Sequence, residues 1–242
     1  MFYFFEETTS TNDDARDAKY HHGDLIRAER QTAGRGQRGH VWESEAGCNL
    51  LFSVVLEPTF LPVNEQFLLS EAVALALTDM LAKYQLPAQI KWTNDIYIQG
   101  RKVVGILIEH NLSGATLSRT IVGVGINVNQ LLFDPALPNP TSMRRVALRE
   151  FDRDEVLGSF YDSLMNRYAQ LERGDKAQLQ MDYADRMYRR NEKHLFRSPE
   201  GQEFVATIRG VRPSGELLLA HENGVLKAYL FKEVEFVLHD NF

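Results

Sequence analysis

Apolar and polar positions alternate along the chain in a way that predicts short strands broken by two long helices. Residues 1–7 are aromatic and read as a strand. Thr8-Thr9-Ser10-Thr11-Asn12-Asp13, full of capping side chains, predicts a short helix running to about Lys19. Residues 25–28 and 48–56 are strand-like. Between them, residues 31–47 hold glycines and charges without an apolar period and form a loop. Asn64 can cap a helix to about Tyr84, whose Leu68, Ala72, Leu75, Ala76 and Met80 help cover most of its circumference, so that helix should be buried. Strands follow at 89–92, 96–99, 102–109 and 117–127, with Gln99-Gly100 as a tight turn. Pro135, Pro138 and Pro140 mark a loop. Behind a cap at Asp152 or Asp154, Val156, Leu157, Phe160, Tyr161, Leu164, Met165, Tyr168 and Leu171 recur at helical spacing, Gly174 ends the helix, and a polar helix continues to about Tyr188.

Past Asn191 the pattern changes to short β segments separated by Pro199-Glu200-Gly201, Pro213-Ser214-Gly215 and Glu222-Asn223-Gly224, as in a small β-barrel. Strands on either side of a buried helix, without regular βαβ alternation, predict an α+β fold: a mixed or antiparallel sheet backed by helices. We expect a first domain over 1–190 and a second over 191–242. A unit of about 50 residues is marginal alone and should pack on the first.

Composition narrows the function. Of the 242 residues, 44% are hydrophobic and 25% charged, as in an ordinary globular enzyme with a sizeable core. The single cysteine, Cys48, reads as an inert strand residue and excludes an intramolecular disulfide. With no signal peptide evident, we expect a reducing cytoplasm. No apolar run approaches the roughly 18 residues of a membrane span. A net charge of −6 argues against a protein built mainly to hold DNA. The histidines lack zinc-ligand spacing.

Four blocks carry candidate chemistry. Gln31-Thr-Ala-Gly-Arg-Gly-Gln-Arg-Gly-His40 combines glycines, which allow close backbone approach, with arginines suited to phosphate or carboxylate; a mobile surface loop would have a similar composition. Lys91-Trp92-Thr93-Asn94-Asp95 ends a strand with groups able to hold a nucleotide and its metal, although Trp92 alone reads as core and Asp95 alone as a turn residue. Gly100-Arg101-Lys102-Val103-Val104-Gly105-Ile106-Leu107-Ile108-Glu109 places Lys102 at the start of a very apolar strand, where a solvated lysine is the simpler reading. In Gly123-Val124-Gly125-Ile126-Asn127-Val128-Asn129, glycines and amides interrupt a β run.

In this order the blocks resemble the biotin–protein ligase family, whose members carry a Gly-Arg-Gly-Arg-x-Gly loop, a Lys-Trp-Pro-Asn-Asp block, a Gly-x-Lys-x-x-Gly-Ile-Leu-x-Glu strand and a Gly-Ile-Asn block. The resemblance runs from Ser10-Thr11-Asn12 to the β-rich tail. It implies a catalytic domain like that of class II aminoacyl-tRNA synthetases, followed by a small SH3-like barrel, in the short form without a winged helix ahead of Ser10. It implies ATP and Mg²⁺, biotin as substrate, no tightly bound prosthetic group, the biotin carboxyl carrier domain of a carboxylase as partner, no DNA, no membrane, and pairing into homodimers as an open option. Biotin would become biotinyl-AMP and then pass to a lysine of the carrier.

The resemblance also implies roles by position. Ser10, Thr11, Asn12 and Gln31 would line the biotin pocket. Gly34, Arg35, Gly36 and Gln37 would form the loop that closes over it, and Gly105 would allow close packing under the biotin chain. Arg38, Trp42, Lys91, Asn94, Asp95 and Asn127 would serve ATP: Trp42 on the adenine, Asn94 and Asn127 in its recognition, Lys91 and Asp95 at the phosphates, with Asp95 also at Mg²⁺. Arg35 and Lys102 would be catalytic, neutralising the two anions that must meet. Three residues depart from the family pattern: Gln37 and His40 stand where arginine is usual, and Thr93 where proline is usual. Rival readings are a lipoate or octanoate ligase, a biotin-binding regulator without ligase activity, and a pure interaction module, which would leave the four blocks unexplained.

Overall fold

Strand β3 (Leu50–Leu56) is buried at every position, which requires cover on both faces and a neighbour on each edge. The computed structural model, which describes residues 1–39 and 41–237 and only the backbone at Arg38, gives it all four. His40, the Arg38 side chain and 238–242 lie outside the described residues, and with them two of the positions singled out above.

The first sheet is built from β1 (Phe2–Thr8), β2 (Leu25–Gln31), β3, β4 (Gln89–Lys91), β5 (Asp95–Ile98), β6 (Arg101–Ser113) and β7 (Thr116–Ile126). Its order is β1-β2-β3-β7-β6-β5-β4; β1 and β2 run parallel and every other pair antiparallel. This is the mixed sheet expected. Side-chain alternation sorts its residues between two layers. Leu50, Phe52, Val54 and Leu56 enter the main core with α2 (Phe67–Lys83), α4 (Arg153–Glu172) and α5 (Lys176–Asp185). Val55 and Ile121 join Ala15, Tyr20 and Ile26 in a smaller core on the other face, beside α1 (Thr11–Asp14). Helix α2 is apolar nearly all round, as its sequence predicts, and α4 is capped by Asp152, whose side chain accepts from the Asp154 and Glu155 amides. Arg167 and Arg186 bridge Asp79 and Asp182, tying the helices together.

Several expectations need correcting. Helix α1 spans only Thr11–Asp14 and stops well short of Lys19, because the chain then turns to bury Tyr20. Asn64 does not cap α2: it lies in a 3-10 turn, Val63–Glu65, behind Pro62, and the helix starts after Gln66 without a side-chain cap. Cys48 sits in the turn before β3, not in the strand. A five-residue helix, α3 (Met143–Ala147), was not foreseen; Ser142 caps it by accepting from the Arg145 amide.

The second sheet holds β8 (Lys193–Arg197), β9 (Glu203–Val211), β10 (Leu217–His221), β11 (Leu226–Tyr229) and β12 (Glu235–Phe236) in the antiparallel order β11-β10-β9-β8-β12, in keeping with an SH3-like unit. Its Phe196, Ile208, Leu217 and Val234 are continuous with the main core. Trp92 fastens the two sheets: its Nε1 donates to the Gly215 carbonyl at 3.0 Å and its ring meets Phe231 edge-on. The core reading of this tryptophan therefore holds.

Candidate active site

Cross-strand register prepares the floor of the site. On the face away from α2, Gly105 of β6 pairs with Gly125 of β7, which pairs with Leu51 of β3; in the next row Leu107, Gly123 and Ser53 align, and then Glu109, Ile121 and Val55. Glycines hollow this face, and two side chains lie in the hollows. A Cβ on Gly123 would come within 2.1 Å of Asn12 Oδ1, and one on Gly105 or Gly125 within 2.5 or 2.4 Å of the Trp42 indole. Larger residues there would expel both.

Asn12 heads a polar pocket. Its Oδ1 accepts from Ser53 Oγ at 2.6 Å, and its Nδ2 donates to Glu109 Oε2 at 2.9 Å. Thr11 donates its amide to Gln31 Oε1 at 2.7 Å and shares a hydrogen bond with Ser53 Oγ at 2.8 Å. Because β2 pairs with β1 as far as Gln31, that side chain arrives beside Thr11. Ser10, Thr11, Asn12, Gln31, Arg35, Gly36 and Gln37 line this inner cavity of about 50 Å³. Gly34 closes the base of its loop: the Trp42 amide donates to the Gly34 carbonyl at 3.0 Å, and Arg35 bridges Val41.

Lys102 reaches the same face through an irregularity. It lies three residues before Gly105, so strict alternation would turn it to the opposite face. A bulge makes the difference: Asp95 pairs with Gly105 and Ile96 with Val104, but Tyr97 pairs with Lys102. Val103 is the extra residue and is buried in the main core, while Lys102 is re-aimed to the site. Its Nζ lies 2.7 Å from Asp95 Oδ1 and 5.4 Å from the centre of the Trp42 ring. Arg35 Nη2 pairs with Asp13 at 2.7 Å and lies 3.7 Å from Glu109.

A larger cavity of about 520 Å³ adjoins the inner one. Gly36, Gln37, Trp42, Asn94 and Lys102 line both. Lys91, Asp95 and Asn127 line the outer cavity alone, with Lys91 over the Phe236 ring at 4.8 Å. Asn94 donates to the Ile106 carbonyl at 2.7 Å, and Asn127 to the Thr141 carbonyl at 3.0 Å, which leaves the Asn127 Oδ1 to accept. The remaining walls come from far along the chain: Phe133, Pro138 and Asn139 after β7, and Phe231, Val234 and Phe236 from the second sheet. Among the described residues, no group of three His, Cys, Asp or Glu is arranged to hold a metal ion.

The first 127 residues match the model of the biotin/lipoate A/B protein ligase family. The chain belongs to that family. A biotin–[acetyl-CoA-carboxylase] ligase of Mycobacterium tuberculosis is 31% identical over 201 residues, 81% of this chain and 73% of that protein. The bifunctional ligase/repressor BirA of Bacillus spizizenii is 30% identical over 213 residues; the match covers 86% of this chain and 64% of that relative's length. Among solved structures, a biotin protein ligase of Aquifex aeolicus in complex with biotin and ATP superposes with a TM-score of 0.83 at 26% identity, over 98% of this chain and 99% of that one.

The structure thus brings residues from all four blocks to the walls of the two cavities, while His40 and the Arg38 side chain lie outside the described residues. Three residues that line or brace the inner pocket were not given roles from the sequence. Ser53 is the only polar residue in the apolar strand Leu50–Leu56, a signal that could have found it. Glu109 and Gly123 stood within blocks already singled out. The outer-wall residues Phe231, Val234 and Phe236 carry no motif.

Proposed function

We propose that the protein is a biotin–protein ligase, which activates biotin with ATP as biotinyl-5′-AMP and transfers it to a lysine of a carboxylase carrier domain. The observation that carries this function is the wall common to the two cavities. An acid in the inner pocket and a nucleotide in the outer one would meet at Lys102, where carboxylate and α-phosphate must react.

Ser10, Thr11, Asn12 and Gln31 supply the hydroxyls and amides that suit a ureido ring. Gly105 leaves room for the acyl chain. Gly34 to Gln37 cover the ligand, and Trp42, Asn94 and Asn127 take the adenine. As the carboxylate oxygen attacks phosphorus and pyrophosphate departs, Lys102 and Arg35 hold the approaching anions together and stabilise the charge of the transition state. To do so both must exchange partners, Lys102 from Asp95 and Arg35 from Asp13. The acceptor amine then attacks the mixed anhydride and AMP leaves, so no nucleophile from this chain is needed. Asp95, released from Lys102, fits one Mg²⁺ ligand position beside substrate phosphates, the usual mode for this ion. The ion would neutralise phosphate charge there, with Lys91 beside it. Residues 1–190 form the catalytic unit in this scheme and 191–242 an SH3-like unit that completes the nucleotide wall.

Competition between labelled biotin and lipoate, each with ATP, tests the acid. Biotin should be activated with little inhibition by equimolar lipoate. Preferred activation of lipoate or octanoate would make the protein a lipoate-type ligase.

A further inference from the structure

Gln37 and Thr93 replace the arginine and proline usual in their motifs, and they lie 56 positions apart in sequence. In space they touch. Thr93 Oγ1 is 3.3 Å from Gln37 Oε1 and 3.0 Å from Asn94 Oδ1, while the Asn94 amide nitrogen is fixed on the Ile106 carbonyl. One hydroxyl proton cannot serve two acceptors fully. Turning the Gln37 amide over offers its NH₂ to the Thr93 oxygen and frees the hydroxyl proton for Asn94. Either way, the loop that covers the inner pocket is joined to the residue placed at the adenine through one threonine hydroxyl.

The location gives the contact leverage. Gln37 and Asn94 line both cavities and a third of about 250 Å³, and Thr93 lines the outer and the third. Proline at 93 would have no hydroxyl, and arginine at 37 would bring only donors. The family's proline would therefore remove the link, whereas its arginine could keep only the form in which position 37 donates to the Thr93 oxygen, and would make it charged.

We infer that Gln37 and Thr93 are a coupled pair of positioning residues, a neutral clasp that orients Asn94 for the nucleotide and holds the covering loop to it. The inference rests on the ligase function proposed above. The test is a double-mutant cycle on biotin-dependent pyrophosphate release, with thermal melting as a control for folding. Thr93→Val keeps the shape and removes the hydroxyl, Thr93→Ser keeps the hydroxyl, and Gln37→Met removes the amide. Loss of one neutral hydrogen bond predicts that Thr93→Val and Gln37→Met each raise the KM for ATP about fivefold, with kcat and melting temperature little changed and Thr93→Ser close to wild type. The double variant should be no worse than about the weaker single, because both remove one link. Multiplying effects in the double variant, or equal loss in Thr93→Val and Thr93→Ser, would overturn the pair. An unaffected KM in Thr93→Val would do the same. Wild-type protein that releases no pyrophosphate with biotin would instead overturn the ligase function itself.

Discussion

Lys102 faces the site only because Val103 is squeezed into the core behind it. The sequence shows the lysine and the glycine three residues later, and simple alternation would put them on opposite faces. Only the shift in register between β5 and β6 brings them together. Its side chain is 31% exposed and its ammonium is paired with Asp95, so it is not part of the core. Replacing Lys102 with Ala should lower adenylation by about two to three orders of magnitude, as for loss of one donor in a preorganised site, with cooperative folding retained. Near-normal adenylate formation, followed by pyrophosphate release, would remove Lys102 from the mechanism. The sequence singled out Thr11, Gln31 and Asn94, and the structure places all three on the wall of the inner cavity. What the sequence did not reveal was their partners: Ser53 and Glu109 brace Asn12 from strands far away in the chain.

At the scale of elements, helices α2 and α4 were legible because burial imposes a period on their side chains. α1 and α3 were not read correctly, being too short to show one. Helix α2 also carries an anomaly. Glu71 is buried with one carboxylate oxygen unpartnered, and near it the Tyr183 hydroxyl is also buried without a hydrogen bond. Burial raises the Glu71 carboxyl to about 8. The folded protein therefore holds a proton there that the unfolded chain, with a carboxyl near 4.3, releases. Between those values the folded state binds more protons, so this group's contribution to stability is full below about 4.3 and falls as pH rises towards 8. Glu71→Gln, uncharged throughout, should gain in melting temperature relative to wild type between pH 5 and pH 8, by a few degrees. A difference between the two proteins that does not change with pH would show that Glu71 does not titrate in this range.

Across the whole molecule, the succession of strands along the chain, the backing helices and the late β unit followed from hydrophobic pattern and turn chemistry, but the order of strands within the sheet did not. Neither did the composition of the outer cavity's wall. Phe231, Val234 and Phe236 reach the outer cavity because Trp92 binds Gly215 and Phe231 and so seats the second sheet against the first. Such contacts join residues more than a hundred positions apart and leave no local signature. They make the second unit a wall of the outer cavity. The two cavities and their common wall have one chemical consequence that can be observed without any acceptor protein. Incubation of the protein with biotin and Mg-ATP, followed by native mass spectrometry, should show a complex heavier by one biotinyl-AMP, formed only when both substrates are present. Protein that binds biotin and ATP side by side, with no mass for the joined adenylate and no pyrophosphate released, would contradict the account.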